Sequence, residues 1–426
     1  MQINAALRAR PLDRKQLTQI ADWAAVAVAV SLPWSTSATS ILVVVWLLAL
    51  LPSEDWGLLR QELETPAGGL PVLLVLLGVA GLFWADVSWA ERFGGLRAFH
   101  RLLMIPLLLV QFQRSEHGVW VLYGFFLSVV ALLFVSWFLV LTPGLPWRGR
   151  FCVPESPLCY RGVPVNDYIS QSTVFTVCMF AVVWRSCDLL HDRRFRMAFL
   201  LAVLAALFLA SMTFVQSSRT ALVVLPFLIL LFAWRRFGWK GILIGFAASG
   251  VLAVGIWEGS SYVRDRVAGT IDETQRYLYE DQNSSTAGHM ELAKKAIAII
   301  RQAPIIGHGT GSIGEMFRRE AIGKTGLEAV QSVNPHNQIL NVGIQLGLAG
   351  VVILIAMWIA HYSLFRAGNW VSWSGTVVVV ENIVSSLFNS HLFDFMHSWL
   401  YVFGVGVVGG MVLRKGAAAD GTQPRM

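Results

Sequence analysis

The chain has 426 residues, of which 55% are hydrophobic and only 14% charged. A soluble domain carries roughly 25% charged residues, so the composition excludes an ordinary water-soluble enzyme. The formal net charge is +7, but among apolar runs the placement of charge says more than its sum, and no nucleic-acid partner is expected.

Apolar runs of membrane-spanning length recur from end to end. They predict an all-α, polytopic integral membrane protein. Residues 1–15 are polar and basic and no small-residue cleavage site follows them, so no cleavable signal peptide is expected. About twelve spans are predicted. They lie at 19–34, 38–52, 69–85, 97–112, 118–142, 165–185, 197–215, 219–234, 240–257, 337–365, 371–388 and 396–413.

With an even count, Arg8, Arg10, Arg14 and Lys15, then Arg185, Arg193, Arg194 and Arg196, then Arg235, Arg236 and Lys240, then Arg366, Arg414 and Lys415 all fall on one side. The excess of positive charge makes that side the cytoplasm. The predicted organisation is nine spans over 1–257, a long periplasmic segment with two helices over 258–335, three spans over 336–413, and a cytoplasmic tail over 414–426.

The opposite side receives 143–164, the turn 216–219, the segment 258–335 and the loop 389–397. Arg161 and Arg219 sit there, on the side that should be poor in arginine. Either they meet an anionic ligand, or they pair with lipid phosphates or a nearby carboxylate. Cys152 and Cys159 share the 143–164 loop with Pro143, Pro146, Pro154 and Pro157, among others. On an oxidising side they either bridge or remain two free thiols.

The segment 258–335 opens with Arg264, Arg266 and Arg276 beside Asp265, Asp272 and Glu273. A helix capped by Ser285 or Thr286 follows, with Met290, Ala293, Ile297 and Ile300 on its apolar face and Lys294, Lys295 and Arg301 on the other. Pro304 ends it. The run Gly307-His308-Gly309-Thr310-Gly311 then leads to a short helix around 313–322. That run either cradles a phosphate or makes a tight turn that lets helices pack closely. No strand precedes it and no Lys-Ser/Thr follows, so it is not a P-loop.

Next comes Asn334-Pro335-His336-Asn337, followed after nine residues by Gly347 and Gly350. Pro335 stops what precedes it, and a long apolar helix begins. An imidazole is thereby held at a membrane–water boundary. His336 either takes a proton from an acceptor hydroxyl or caps its helix. His289 and His308 belong to the segment before it and are candidates to line the same cavity. His391 and His397 fall in a predicted exposed loop, without a carboxylate-histidine cluster, so no metal site is expected. No Asp-x-Asp occurs in the chain, and no Walker, His-Glu-x-x-His or Gly-x-Ser-x-Gly motif. No cofactor is expected. If a phosphate leaves in the reaction, Arg161, Arg219, Arg264 and Arg266 are the cations on that side to stabilise it.

The His336-Asn337, nine residues, Gly347-x-x-Gly350 string resembles the signature of the O-antigen ligase family of lipopolysaccharide assembly. Ser217-Ser218-Arg219-Thr220 is similar to the family's Ser-Arg-Thr segment, and 303–311 to its Pro-x-x-Gly-x-Gly-x-Gly turn. The resemblance covers mainly 160–350. His289 stands where family members often carry an arginine. The resemblance implies a glycosyltransferase of the bacterial inner membrane that acts at the periplasmic face. Polysaccharide on undecaprenyl pyrophosphate would pass to a sugar hydroxyl of lipid A–core, without metal or nucleotide and with inversion. His336 would activate the hydroxyl, Arg161, Arg219, Arg264 and Arg266 would hold the pyrophosphate, and Asn337 and His289 would support them. An O-antigen polymerase or a protein O-oligosaccharyltransferase are alternatives within the superfamily. Protein-modifying relatives often have a larger domain at the carboxyl end, and this chain stops soon after Lys415, which favours a lipid or glycan acceptor. A transporter of a lipid-linked anion is the alternative of another class, although no internal repeat supports it.

Overall fold

The computed structural model describes residues 13–142, 162–216, 218–280 and 285–419. Arg161, Cys152, Cys159 and Ser217 lie outside the described residues. Among those described, regular structure is helical throughout.

Helices α1 (Arg14–Ser31) and α2 (Thr36–Leu50) form the first hairpin. Helices α3 (Trp56–Glu64) and α4 (Pro66–Ala80) are two arms of one path bent by 84°. The bend has a local cause: Thr65 closes α3 and caps α4, its Oγ1 accepting from Gly68 N at 3.2 Å, and Pro66 takes the first helical position, where no N–H is missed. Helices α5 (Trp89–Leu96) and α6 (Met104–Arg114) are a second bent pair, at 43°. Helices α7 (Gly118–Leu141), α8 (Tyr168–His191), α9 (Phe195–Ala210), α10 (Arg219–Phe237) and α11 (Trp239–Gly259) follow.

Every one of the twelve predicted runs is occupied by helix. Among the described residues, eight helices are long and apolar enough to cross a membrane, and the two bent pairs bring that to ten. The remaining two runs are α1, which carries Arg14, Lys15 and Asp22, and α16 (Trp370–Ser385), which has 16 residues. The chain is a polytopic membrane protein.

The segment between α11 and the last three spans holds three helices rather than the two expected. Helix α12 (Ser261–Glu280) was hidden by its arginine–aspartate content, although Val263 and Val267 repeat at helical spacing. Helix α13 (Ser285–Gln302) starts where predicted, but its first turn is served by α12: Glu273 accepts from Thr286 N at 3.2 Å. Its buried face also differs. Leu292, Ala296 and Ile299 are buried, whereas Met290 and Ile297 are exposed. Lys295, expected on the polar face, is 3% exposed. Its ammonium donates to the carbonyls of Glu328 and Val330, which offsets the desolvation. With Ile313, Met316 and Phe317 around α14 (Ile313–Ala321), these side chains build a second small core against Ile344.

Helix α15 (Gln338–Leu364) is broken at Gly347, whose φ is 60° and ψ −158°. The glycine-rich turn docks into the break. His308 N and Gly309 N donate to the carbonyls of Ile344 and Gln345 at 2.8 and 2.9 Å, and Leu348 N and Ala349 N donate to those of Pro304 and Ile305 at 2.8 and 3.1 Å. Thr310 N and Gly311 N donate to Gly81 O and to Gln345 Oε1. The turn's amides are therefore committed to protein acceptors, which favours the close-packing reading of the glycines over a phosphate cradle. A methyl group on Gly347 would meet the carbonyl carbon of Ile305 at 2.4 Å. Gly347→Ala is expected to lower the melting temperature markedly. This essentially glycine-only backbone region alone costs about 1–3 kcal/mol for another residue, the clash adds to it, and a thermal-shift assay in detergent checks this.

Helix α17 (Phe395–Ala419) closes the bundle. The most enclosed helices are α8, α15, α16 and α17, and a core including Trp184, Trp373 and Tyr401 lies among them.

Candidate active site

His336 stands immediately before Asn337, the N-cap of α15, and its φ is 53°. A left-handed conformation at a residue other than glycine is uncommon and here has identifiable supports. His336 N donates to Asn334 Oδ1 at 2.9 Å, and Ser390 Oγ donates to the same oxygen at 2.7 Å. Asn337 is occupied by structure: its Oδ1 accepts from Leu340 N and its Nδ2 donates to Leu387 O, both at 3.0 Å.

The imidazole is half-buried, with Nδ1 3.2 Å from Asn389 Oδ1. That oxygen also accepts from Asn334 Nδ2 at 3.0 Å and from Ser390 N at 2.9 Å, while Asn389 Nδ2 donates to Asp394 Oδ2 at 3.1 Å. The amide orientation follows from these partners, because the oxygen collects donors and the nitrogen faces a carboxylate. Nδ1 must therefore carry the hydrogen, and in the neutral ring Nε2 is left as the base. Burial holds the His336 pKa below its ordinary range, and the Asn389 hydrogen bond opposes this. Asn389→Ala is expected to lower turnover about 10- to 100-fold, part of the 10²–10⁴ that general acid–base catalysis supplies. It should also move the acidic limb of the pH profile downward, since the lost bond favours the charged ring. A pH–rate series on the purified variant checks both.

His289, on α13, packs edge-on against His336 with ring centroids 4.2 Å apart. Its pKa is lowered by burial first, then by the neighbouring His336 and Arg219, with Glu273 opposing. One turn earlier, Thr286 Oγ1 accepts from Arg219 at 3.0 Å. Arg219, at the start of α10, also forks onto both oxygens of Glu273, each at 3.3 Å. Burial pushes the Glu273 carboxyl up, but hydrogen bonds from Thr286 and Arg219 and the arginine's charge bring it below its usual range. His336 and His289 are thus in ring contact, hydrogen bonds join Thr286, Arg219 and Glu273, and the two groups meet one turn apart on α13 in one polar patch.

The other predicted cations divide. Arg266 donates to Tyr168 Oη at 3.1 Å and lies over its ring. Tyr168 is one turn before Ser172, whose Oγ accepts from Ser218 N, next to Arg219. Arg264 instead donates to the carbonyls of Trp257 and Glu258 at the end of α11. The Nε–H groups of Arg219 and Arg266 are buried and lack an acceptor among the described residues, whereas that of Arg264 is not in this condition. An unmet buried guanidinium donor is costly in a protein at rest.

His308 is held by structure, its Nε2 2.9 Å from Ile299 O. His391 and His397 are not in an exposed loop: they are 0% and 4% exposed, and their rings stack at 3.8 Å. The turn before α17 also supplies the carboxylate that the sequence reading lacked. His391, Asp394 and His397 offer ligand-type atoms within 4.8 Å of one another, the arrangement among the described residues that could hold a metal ion. Asp394 is at the same time the residue that fixes Asn389.

Residues 201–355 match the model of the O-antigen ligase family. This part of the chain is similar to the O-antigen ligase family. No curated protein matches the chain. The matched region runs from α9 into α15 and contains Arg219, Arg264, Arg266, His289, His336 and Gly347. Asn389 and Asp394 lie beyond the matched region and come from the turn between α16 and α17.

Proposed function

We propose that the chain transfers polysaccharide from undecaprenyl pyrophosphate to a sugar hydroxyl of lipid A–core, at the periplasmic face of the bacterial inner membrane. The observation that carries this reading is one imidazole, its Nε2 left as the base, in the same polar patch as the guanidinium of Arg219. Similarity of residues 201–355 to the O-antigen ligase family supports ligase-type chemistry, and the apolar spans suit a lipid-borne donor.

In this mechanism His336 Nε2 accepts the acceptor hydroxyl's proton as the oxygen attacks the anomeric carbon. The bond from that carbon to the pyrophosphate oxygen breaks, and its electron pair leaves with the lipid pyrophosphate. A single displacement inverts the centre. Arg219 and Arg266 meet the departing charge as guanidinium cations, with Arg161 as a further cation. Arg264, engaged by the end of α11, contributes least. His289 stays neutral beside the base, and Asn337 keeps the helix start in place. The positive charge comes from the protein, so the reaction is proposed to be metal-independent.

The pH dependence follows from the lowered His336 pKa. The base is free at neutral pH, and the rate falls only as pH drops through a value below the usual imidazole figure of about 6.5. A kcat/KM profile with an acidic limb at or above that figure would contradict this assignment.

The test is transfer by purified protein, with EDTA present, from undecaprenyl-pyrophosphate-linked glycan to lipid A–core. Slower-migrating lipopolysaccharide supports a ligase. Lengthened glycan on the carrier would make the protein a polymerase. Movement of labelled lipid across reconstituted vesicles with no transfer would make it a transporter.

A further inference from the structure

A largely apolar cavity of about 390 Å³ lies between α1, α7, α8, α9, α16 and α17, away from the polar patch around His336. It reaches the outer surface of the bundle beside Tyr123, which is 47% exposed. Its walls carry Arg185 and Arg194 and no aspartate or glutamate. We propose that it binds one anionic phospholipid, with the phosphate on these two arginines and an acyl chain in the slot.

Three observations support this occupant. The first is charge. Neither guanidinium has a hydrogen bond or ion pair among the described residues. Other arginines at this end are satisfied: Arg236 pairs with Asp188 at 2.5 Å, and Arg235 donates to the carbonyls of Phe365 and Arg366. The second is depth. Tyr123 stacks on Trp370 with centroids 6.2 Å apart and planes at 12°, and Trp120 packs edge-on beside it. Such aromatic rows sit at the headgroup level of a bilayer. The arginines thus line the cavity near the plane where lipid phosphates lie, on the arginine-rich side. The third is length. The lining continues along α8 from Arg185 to Val177, about 12 Å at helical rise, against roughly 15 Å for one leaflet's hydrocarbon. A headgroup-level pair of unmatched cations above an apolar slot of leaflet depth fits an anionic lipid and has nothing to offer a zwitterionic one in preference.

The experiment measures lipid retained by the full chain after purification into phosphatidylglycerol or phosphatidylcholine nanodiscs and extraction, read by native mass spectrometry. Wild type is expected to retain about one phosphatidylglycerol and little phosphatidylcholine. Arg185→Gln with Arg194→Gln is expected to weaken that retention about 10-fold or more, and Ala181→Phe, which fills the slot, should do the same. Arg193→Gln with Arg196→Gln, on the same side but outside the cavity, should leave it unchanged. Equal retention of the two lipids, or no loss in the Arg185/Arg194 pair, overturns the proposal. So does an equal loss in the Arg193/Arg196 pair. A loss in the arginine pair without one in Ala181→Phe reduces the effect to surface attraction and also overturns it.

Discussion

His336→Ala is expected to lower glycosyl transfer at least about 100-fold while the protein still folds. General acid–base catalysis contributes 10²–10⁴, and the ring is only half-buried, so little packing is lost. The left-handed backbone at this residue (φ 53°) adds a control. Asparagine tolerates that conformation better than alanine, so His336→Asn should match wild type in melting temperature and match His336→Ala in activity. Loss of transfer in both variants with unchanged stability isolates the imidazole. Substantial transfer by His336→Asn would remove the base from the mechanism.

Among the three arginines of the described candidate set, the expected order of effect is Arg219, then Arg266, then Arg264. Removing a preorganised donor from a developing anion costs on the order of 10²–10³ in rate, which is the expectation for Arg219→Ala. Arg219→Lys should not restore it, because an ammonium cannot fork onto Glu273 and still present a further directed donor. Arg219→Ala also leaves Glu273 partly buried without its cation. Arg219→Gln combined with Glu273→Gln removes that complication and should be folded yet inactive. Arg264→Ala should stay within about threefold of wild type, the behaviour of a surface contact with little stake in the site. Steady-state transfer rates across this series, with melting temperatures alongside, check the order. Equal losses at Arg264 and Arg219 would overturn the distinction drawn from their unmet donors.

The spans were legible because membrane-length apolar runs need no tertiary context. His336, Arg219 and the glycine signature were legible because proline, glycine and misplaced charge act locally. The nine residues between Asn337 and Gly347 are the first arm of a broken helix, and the spacing records where that arm must end. What was not legible depends on distant partners. Asn389 lies 53 residues from His336 and looks like any loop amide until the turn before α17 folds against α15. His391 and His397 read as exposed because their neighbours are polar, yet the turn is enclosed by the spans around it. Lys295 read as a surface cation because sequence cannot show that two loop carbonyls would receive its ammonium. Helix α12 is concealed in the sequence because its charges suggest a solvated loop, whereas Glu273 faces Arg219 and Arg266 faces Tyr168.

In the proposed reaction, His336 and the arginine pair drive departure of a lipid pyrophosphate as sugar is transferred. The most direct measurement is the amount of undecaprenyl pyrophosphate released per glycan joined to lipid A–core, in EDTA, by wild type and by His336→Asn. One carrier released per product by wild type, and neither product nor carrier from the variant, is the predicted result. Carrier release by the variant at the wild-type rate, or wild-type transfer that stops in EDTA, would contradict the account.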